Sequence, residues 1–349
     1  MPKPILIVTH GMGSDNKKSF ETQIIEAFQN AYNEYPSLKN RDFRDIFDIQ
    51  VVEYSSIFEE HRKKIAEDAA KIAGVIKAIP KQDDVSNITN WFVKAATEFG
   101  DDKFFYTHLL DVLFYRFTVL GELCRIRLGN EIIKAVTERG STYVHVMGYS
   151  LGTSVLHDTL ASLYSDNLKI NGNALSPETN RLSSIHMVAN VSRLLETFVN
   201  VDSSIVRPNN GCANYYREYR HKFDPFTWVR PFDPSPEAPW TSSGYEITEI
   251  SEITQFNTHD LSHYIKNPKV HRKLISFFDA GFFPTKVEQQ KADQSFEKLT
   301  IVDAYKNVAS KANEIKLDNG DSIKSLFKAV RDFKEMIEDL GGDFTKEGE

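Results

Sequence analysis

The amino-acid sequence predicts an α/β protein built on a mainly parallel sheet of about six strands flanked by helices. Two observations predict it. Short apolar runs rich in β-branched residues alternate with longer segments of helical periodicity, the pattern of helices wrapped around a parallel sheet. One of those runs, Thr142 to Met147, leads through Gly148-Tyr149-Ser150-Leu151-Gly152 into an amphipathic segment, which is a strand, a sharp turn and a helix in succession.

In chain order, Ile5 to Thr9 reads as the first strand. Lys18 to Tyr35 reads as a helix, with Ile24, Ile25, Phe28 and Tyr32 at helical spacing. A second strand falls near Ile49 to Tyr54. Helical pattern then runs from Phe58 to Arg139, more than one crossover needs, so part of it (about 58–119) reads as an insertion. Trp91, Phe92, Phe104, Phe105, Phe114, Tyr115 and Phe117 give that insertion apolar surface, either as core or as the lining of an acyl cleft or lid. After the strand at Thr142 to Met147, a helix is expected over Leu151 to Tyr164. Further strands are expected at Ile185 to Val191, Ala213 to Tyr219 and Tyr245 to Ile250. A proline-rich loop spans Pro225 to Pro239, and a helix covers Lys269 to Phe278. Beyond Phe283 the chain turns charged and helical. The expected organisation is a catalytic unit over 1–283 and a C-terminal extension over 284–349, which could carry a protein partner.

Composition narrows the class. The chain has 349 residues, 41% hydrophobic and 26% charged, as in an ordinary soluble domain. A formal net charge of −7 offers no broad attraction to nucleic acid or anionic lipid. Two cysteines, Cys124 and Cys212, suit a reducing compartment, so a cytoplasmic location is expected. Ile5 to Val8 is too short for a signal-peptide core. The aromatic stretch from Phe104 to Leu120 contains His108, Asp111 and Arg116, which argues against a membrane-spanning helix.

Gly148-Tyr149-Ser150-Leu151-Gly152 fits G-x-S-x-G in the strand–turn–helix context that a nucleophile elbow requires. The alternative is a turn in which Ser150 only caps the helix. His10-Gly11-Met12-Gly13 follows the first strand, and its backbone amides could serve a developing oxyanion. Met12 and Leu151 are the candidate donors. A phosphate loop does not fit, since the third glycine of G-x-G-x-x-G would fall at Asn16.

A serine nucleophile needs a base. His145 and His157 flank the elbow inside a strand and a helix, and His61 and His108 lie in the insertion. His259 follows the last strand, at the carboxyl edge of the sheet that also carries Ser150, and His263 is the alternative base. The spacing of His259 and His263 suggests a zinc pair, but H-E-x-x-H requires glutamate where Asp260 stands, and no metal or other cofactor is expected. Asp224, in His221-Lys222-Phe223-Asp224-Pro225, is the candidate acid, giving the order Ser, Asp, His. Asp202 is the alternative acid and Asp233 a weaker one, while Asp-Pro can also simply start a turn.

Through these residues the chain resembles the α/β-hydrolase superfamily, and within it the intracellular lipases and esterases. The likeness rests on His10-Gly11-Met12-Gly13, Gly148 to Gly152, Phe223-Asp224-Pro225, and His259 followed by Tyr264-Ile265-Lys266-Asn267-Pro268. The Asp-Pro segment is similar to that of intracellular phospholipases, where an aspartate before proline looks like the triad acid. A histidine shortly before Tyr-x-x-Asn-Pro looks like the base. The likeness covers Pro4 to Phe278, without the insertion or the tail. The family usually has two more antiparallel strands at its start, so a reduced sheet is expected. The resemblance implies hydrolysis of a carboxylic ester, lipidic or acyl, by Ser150, His259 and Asp224. An acyltransferase or thioesterase with the same triad, or a non-catalytic module on the scaffold, are the alternatives.

Overall fold

Along the first strand, successive side chains enter different cores: Ile5 and Ile7 join one hydrophobic cluster, Leu6 and Val8 the other. That alternation, buried on both faces, marks a strand inside a helix-covered parallel sheet. The computed structural model describes residues 2–11, 17–60, 111–112, 114–116, 118–165, 167–170, 172–193, 203–234, 244–300 and 322–339. Among them six strands form one sheet: β1 (Ile5–Thr9), β2 (Asp48–Val52), β3 (Val144–Tyr149), β4 (Leu182–Val188), β5 (Ala213–His221) and β6 (Tyr245–Ile250). Their order is β2-β1-β3-β4-β5-β6, and every neighbouring pair is parallel.

The chain therefore winds outward from β1 to β2, returns across the sheet, and winds the other way from β3 to β6. The direction changes between β1 and β3, whose carboxyl ends flank the crevice where open α/β sheets bind ligands. His10 follows β1 and Ser150 follows β3, so the topology alone sets both beside that crevice.

On one face lie α2 (Leu120–Arg139) and α3 (Leu151–Tyr164), and on the other α1 (Lys17–Asn33), α4 (Leu261–Lys266) and α5 (Pro268–Phe278). Helix α3 runs close under the end of β1. A Cβ on Gly152 would lie 2.4 Å from the His10 carbonyl oxygen and 2.5 Å from that of Thr9, so only glycine permits this approach.

In the C-terminal extension both described helices bury an apolar side. Helix α6 (Lys286–Lys298) starts with a capping box between Thr285 and Glu288, buries Ala292 and Phe296, and is tied back by an Arg272–Asp293 ion pair. Helix α7 (Ser322–Asp339) buries Leu326, Val330, Phe333 and Ile337, spaced three or four apart, in the core that also holds Phe226 and Val229. Phe333 meets Trp228 edge-on at 5.6 Å. Both described helices beyond 283 thus pack against the rest of the chain.

Several element limits differ from expectation. Strand β3 starts two residues late because Ser141–Tyr143 forms a 3₁₀ turn. Strand β4 ends at Val188, three residues early, because Ala189 adopts φ 49° and turns the chain out of the sheet. Helix α4, between His259 and the last core helix, was not expected, since six residues carry little periodicity. Most of the helical insertion (61–110, and positions 113 and 117) lies outside the described residues. Phe114 and Tyr115 are buried, in keeping with core packing. Among the described residues no helix is long and apolar enough to cross a membrane.

A polar chain crosses the sheet interior. His145 Nδ1 lies 2.6 Å from Ser184 Oγ, which lies 2.7 Å from His186 Nε2, and His186 Nδ1 lies 3.1 Å from Tyr219 Oη. Burial pushes His145, His263 and His271 down to about 3.

Three consequences are testable. Gly152→Ala forces a Cβ into backbone oxygens and should lower stability by about 1–3 kcal/mol. Phe333→Ala should cost about 3–5 kcal/mol as a buried aromatic truncation. Denaturant midpoints measure both. Between pH ~6.5 and ~3 the unfolded chain binds protons that the buried imidazoles refuse, so stability present above pH ~6.5 should drain away on acidification, readable as a falling midpoint from pH 7 to 5.

Candidate active site

The site begins with a strained turn. Strand β3 ends at Tyr149, helix α3 starts at Leu151, and Ser150 between them takes φ 54° and ψ −128°. Side chains with a Cβ rarely hold positive φ, so the surroundings must enforce it. Ser150 N–H donates to Val188 O at 3.0 Å, and Thr153 N–H donates to Ser150 O at 2.9 Å. The Thr153 hydroxyl also donates to Ser150 O (2.6 Å) and accepts from Val191 N–H (3.0 Å), tying the turn to the end of β4. Gly11 closes the other side. A Cβ there would stand 2.7 Å from Ser150 Cβ and 3.2 Å from its Oγ.

Ser150 does not cap α3; its side chain makes no capping bond. Its Oγ instead lies 2.8 Å from His259 Nε2. His259 Nδ1 lies 2.8 Å from Asp224 Oδ2. The carboxylate only accepts, so Nδ1 carries the hydrogen, and Nε2 presents a lone pair to the serine hydroxyl. Ser150 is 1% exposed, His259 8% and Asp224 0%.

His259 sits on the loop after β6, next to Asp260, whose carboxylate caps α4. The Phe226 ring stacks on the imidazole at 3.9 Å between centroids, and the Tyr149 ring lies 5.2 Å away on a tilt. Tyr149 OH donates to the His259 carbonyl at 2.5 Å. The Thr258 hydroxyl donates to Phe223 O at 2.7 Å, fastening the loop that carries His259 to the one that carries Asp224.

Asp224 follows β5 and does two jobs with its two oxygens. Oδ1 accepts from Phe226 N–H at 3.0 Å and caps the 3₁₀ turn Pro225–Thr227. Oδ2 faces His259 Nδ1 and also accepts from Tyr264 OH at 2.7 Å. Turn initiation and the proposed acid role therefore coexist in one Asp-Pro pair.

The alternative residues fall elsewhere. His263 Nδ1 pairs with Thr254 Oγ1 at 3.0 Å, and its ring lies 5.2 Å from that of His221. Asp233 accepts from Arg220 at 3.1 Å at the surface. Asp202 lies outside the described residues, as do His61 and His108. His157 is occupied by Ser204 (3.0 Å) and Asp158 (3.3 Å).

Of the two expected oxyanion donors, Met12 lies outside the described residues. Leu151 is the first residue of α3, where an N–H has no acceptor within the helix and the dipole favours negative charge. His10 holds the preceding loop. Its ring stacks on Tyr54 at 4.7 Å, its Nδ1–H donates to Gly11 O at 2.7 Å, and Tyr54 OH donates to His10 O at 2.6 Å. Burial keeps this imidazole below its ordinary pKa, hence neutral and in structural use.

Thr153, Phe226, Tyr149 and Tyr264 escaped sequence reasoning. Tyr149 stood there only as a variable position of G-x-S-x-G, and Tyr264 as the tyrosine of the Tyr-x-x-Asn-Pro segment behind His259.

The arrangement joins a hydroxyl, a base lone pair and a buried carboxylate in line, beside a helix amino terminus. Compared with known protein families, with curated proteins and with solved structures, the chain matches none.

Proposed function

We propose that this chain is a serine hydrolase of the α/β-hydrolase fold, cleaving carboxylic esters through an acyl-enzyme. The single observation that carries the reading is the line from Ser150 Oγ to His259 Nε2 and from His259 Nδ1 to Asp224 Oδ2, each step 2.8 Å. The strand order supports it. Nucleophile, acid and base follow β3, β5 and β6 of one parallel sheet, in the chain order Ser, Asp, His that a G-x-S-x-G elbow uses.

In the first stage Ser150 Oγ bonds to the ester carbonyl carbon as its proton passes to His259 Nε2. The carbonyl electrons move onto oxygen, and the Leu151 N–H at the start of α3 and the Met12 N–H are the two candidate donors to that charge. Asp224 holds the imidazole and stabilises its cation. Collapse of the intermediate breaks the bond to the alkoxy oxygen, which leaves with the His259 proton. In the second stage His259 takes a proton from water, the hydroxide oxygen attacks the acyl carbon, and Ser150 regains its hydrogen as the acid departs.

The aromatic-rich insertion and the likeness to intracellular lipases favour a lipidic or acyl ester over a peptide. A cytoplasmic setting belongs to the same reading, supported by two buried free cysteines.

Ser150→Ala should lower hydrolysis of a p-nitrophenyl ester by roughly 10⁴-fold or more and abolish labelling by a fluorophosphonate, with the circular dichroism spectrum unchanged. Retained activity in the folded variant defeats the proposal. Asp224→Asn keeps the shape but loses the charge behind the imidazole, and should cost roughly 10⁴-fold in kcat.

A further inference from the structure

The geometry points to Tyr264 as a positioning residue whose hydroxyl governs how strongly Asp224 supports the His259 cation, and so the pH at which the enzyme loses activity. This rests on the hydrolase reading of Ser150, His259 and Asp224.

Tyr264 lies in α4, five residues after His259, and its phenol is wholly buried. Its oxygen has two neighbours, His221 N at 3.1 Å and Asp224 Oδ2 at 2.7 Å. A backbone N–H can only donate, so it occupies a lone pair of the phenol, and the phenolic hydrogen is directed at the carboxylate. Oδ2 thus receives two donors, His259 Nδ1–H and Tyr264 O–H, while Oδ1 receives Phe226 N–H. Burial and the nearby Asp224 charge hold the phenol well above its ordinary pKa, so it stays a donor through the working range.

The consequence follows from sharing. The carboxylate charge stabilises the imidazolium in proportion to how much of it is concentrated on Oδ2. A second donor on that oxygen takes part of the charge, weakens the hold on the imidazolium and keeps His259 available as a free base at lower pH. Tyr264 also links α4, which starts just after His259, to the turn of Asp224 through one atom, which limits drift of Asp224 away from His259.

The other titratable groups around this cluster have partners of their own. On β5, His221 Nδ1 accepts from Phe223 N–H, and its Nε2 lies 3.2 Å from Glu252 O. On α4, His263 faces Thr254. In the loop after β6, Glu252 is ion-paired with Lys269, and Asp260 caps α4. On β3, Tyr149 binds the His259 carbonyl. Beyond Gly11, His10 stacks on Tyr54, and on α5 His271 bonds to Tyr35 of the segment after α1. Lys222 and Lys266 are exposed.

The test is the pH dependence of kcat/KM for a p-nitrophenyl ester, in the full-length wild type and in Tyr264→Phe. Phenylalanine keeps the ring and removes only the donor. The acidic limb should move to higher pH by roughly half to one unit, so that activity on that limb falls by about three- to tenfold. A limb that stays in place in the folded variant overturns the inference, because a merely structural role would lower the plateau without moving the limb. Should Tyr264→Phe fail to fold, a fluorinated tyrosine inserted at position 264 keeps the shape and is a stronger donor. The limb should then move to lower pH; a stationary limb, or a rise, overturns the inference. Fluorophosphonate labelling of wild-type Ser150 separates the two levels: absent labelling removes the triad reading itself, whereas normal labelling with unmoved limbs removes only the role of Tyr264.

Discussion

The site depends on one residue held where its backbone does not wish to be. Ser150 must take positive φ for its hydroxyl to leave the sheet edge and face His259. Nothing in serine favours that conformation, so neighbours enforce it: Val188 receives its amide, Thr153 grips its carbonyl twice, and Gly11 and Gly152 let β1 and α3 close in. Strain of this kind persists only where the surroundings over-determine it. Here the sheet register, the helix start and the glycines all demand the same bend.

A second economy lies at Asp224. One buried carboxylate anchors a turn with one oxygen and faces the imidazole with the other, and every donor that reaches it comes from a different piece of backbone or side chain. Burying a charge is costly unless hydrogen bonds satisfy it. Asp224, His259 and Tyr264 therefore form one polar unit inside an apolar shell, and their positions are mutually determined.

The parallel sheet was legible because its signal is local: β-branched runs, helical periodicity and a glycine-flanked turn are all written in adjacent residues. Ser150 was legible for the same reason. His259 could be separated from His263 only by asking where the chain goes after β6, and Asp224 from Asp233 only by knowing which loops meet. Those are long-range facts, across 35 residues for Asp224 and His259 and 109 for His259 and Ser150. Thr153, Phe226 and Tyr264 act through contacts that no spacing rule encodes. The packing of the tail was hidden for a different reason. Its charge is real, but it coats the outer side of α7, while Leu326, Val330, Phe333 and Ile337 are buried.

The seat of α7 has a consequence for how the molecule comes into being. During synthesis the chain emerges amino end first, and the sheet with its serine, carboxylate and imidazole could be assembled well before residue 322 leaves the ribosome. Yet the apolar cover over Phe226 and Trp228, which flank the turn that Asp224 begins, is supplied by α7. A helix translated after the sheet thus completes the wall behind Asp224, and a nascent chain holds Ser150, Asp224 and His259 before it holds the packing around them.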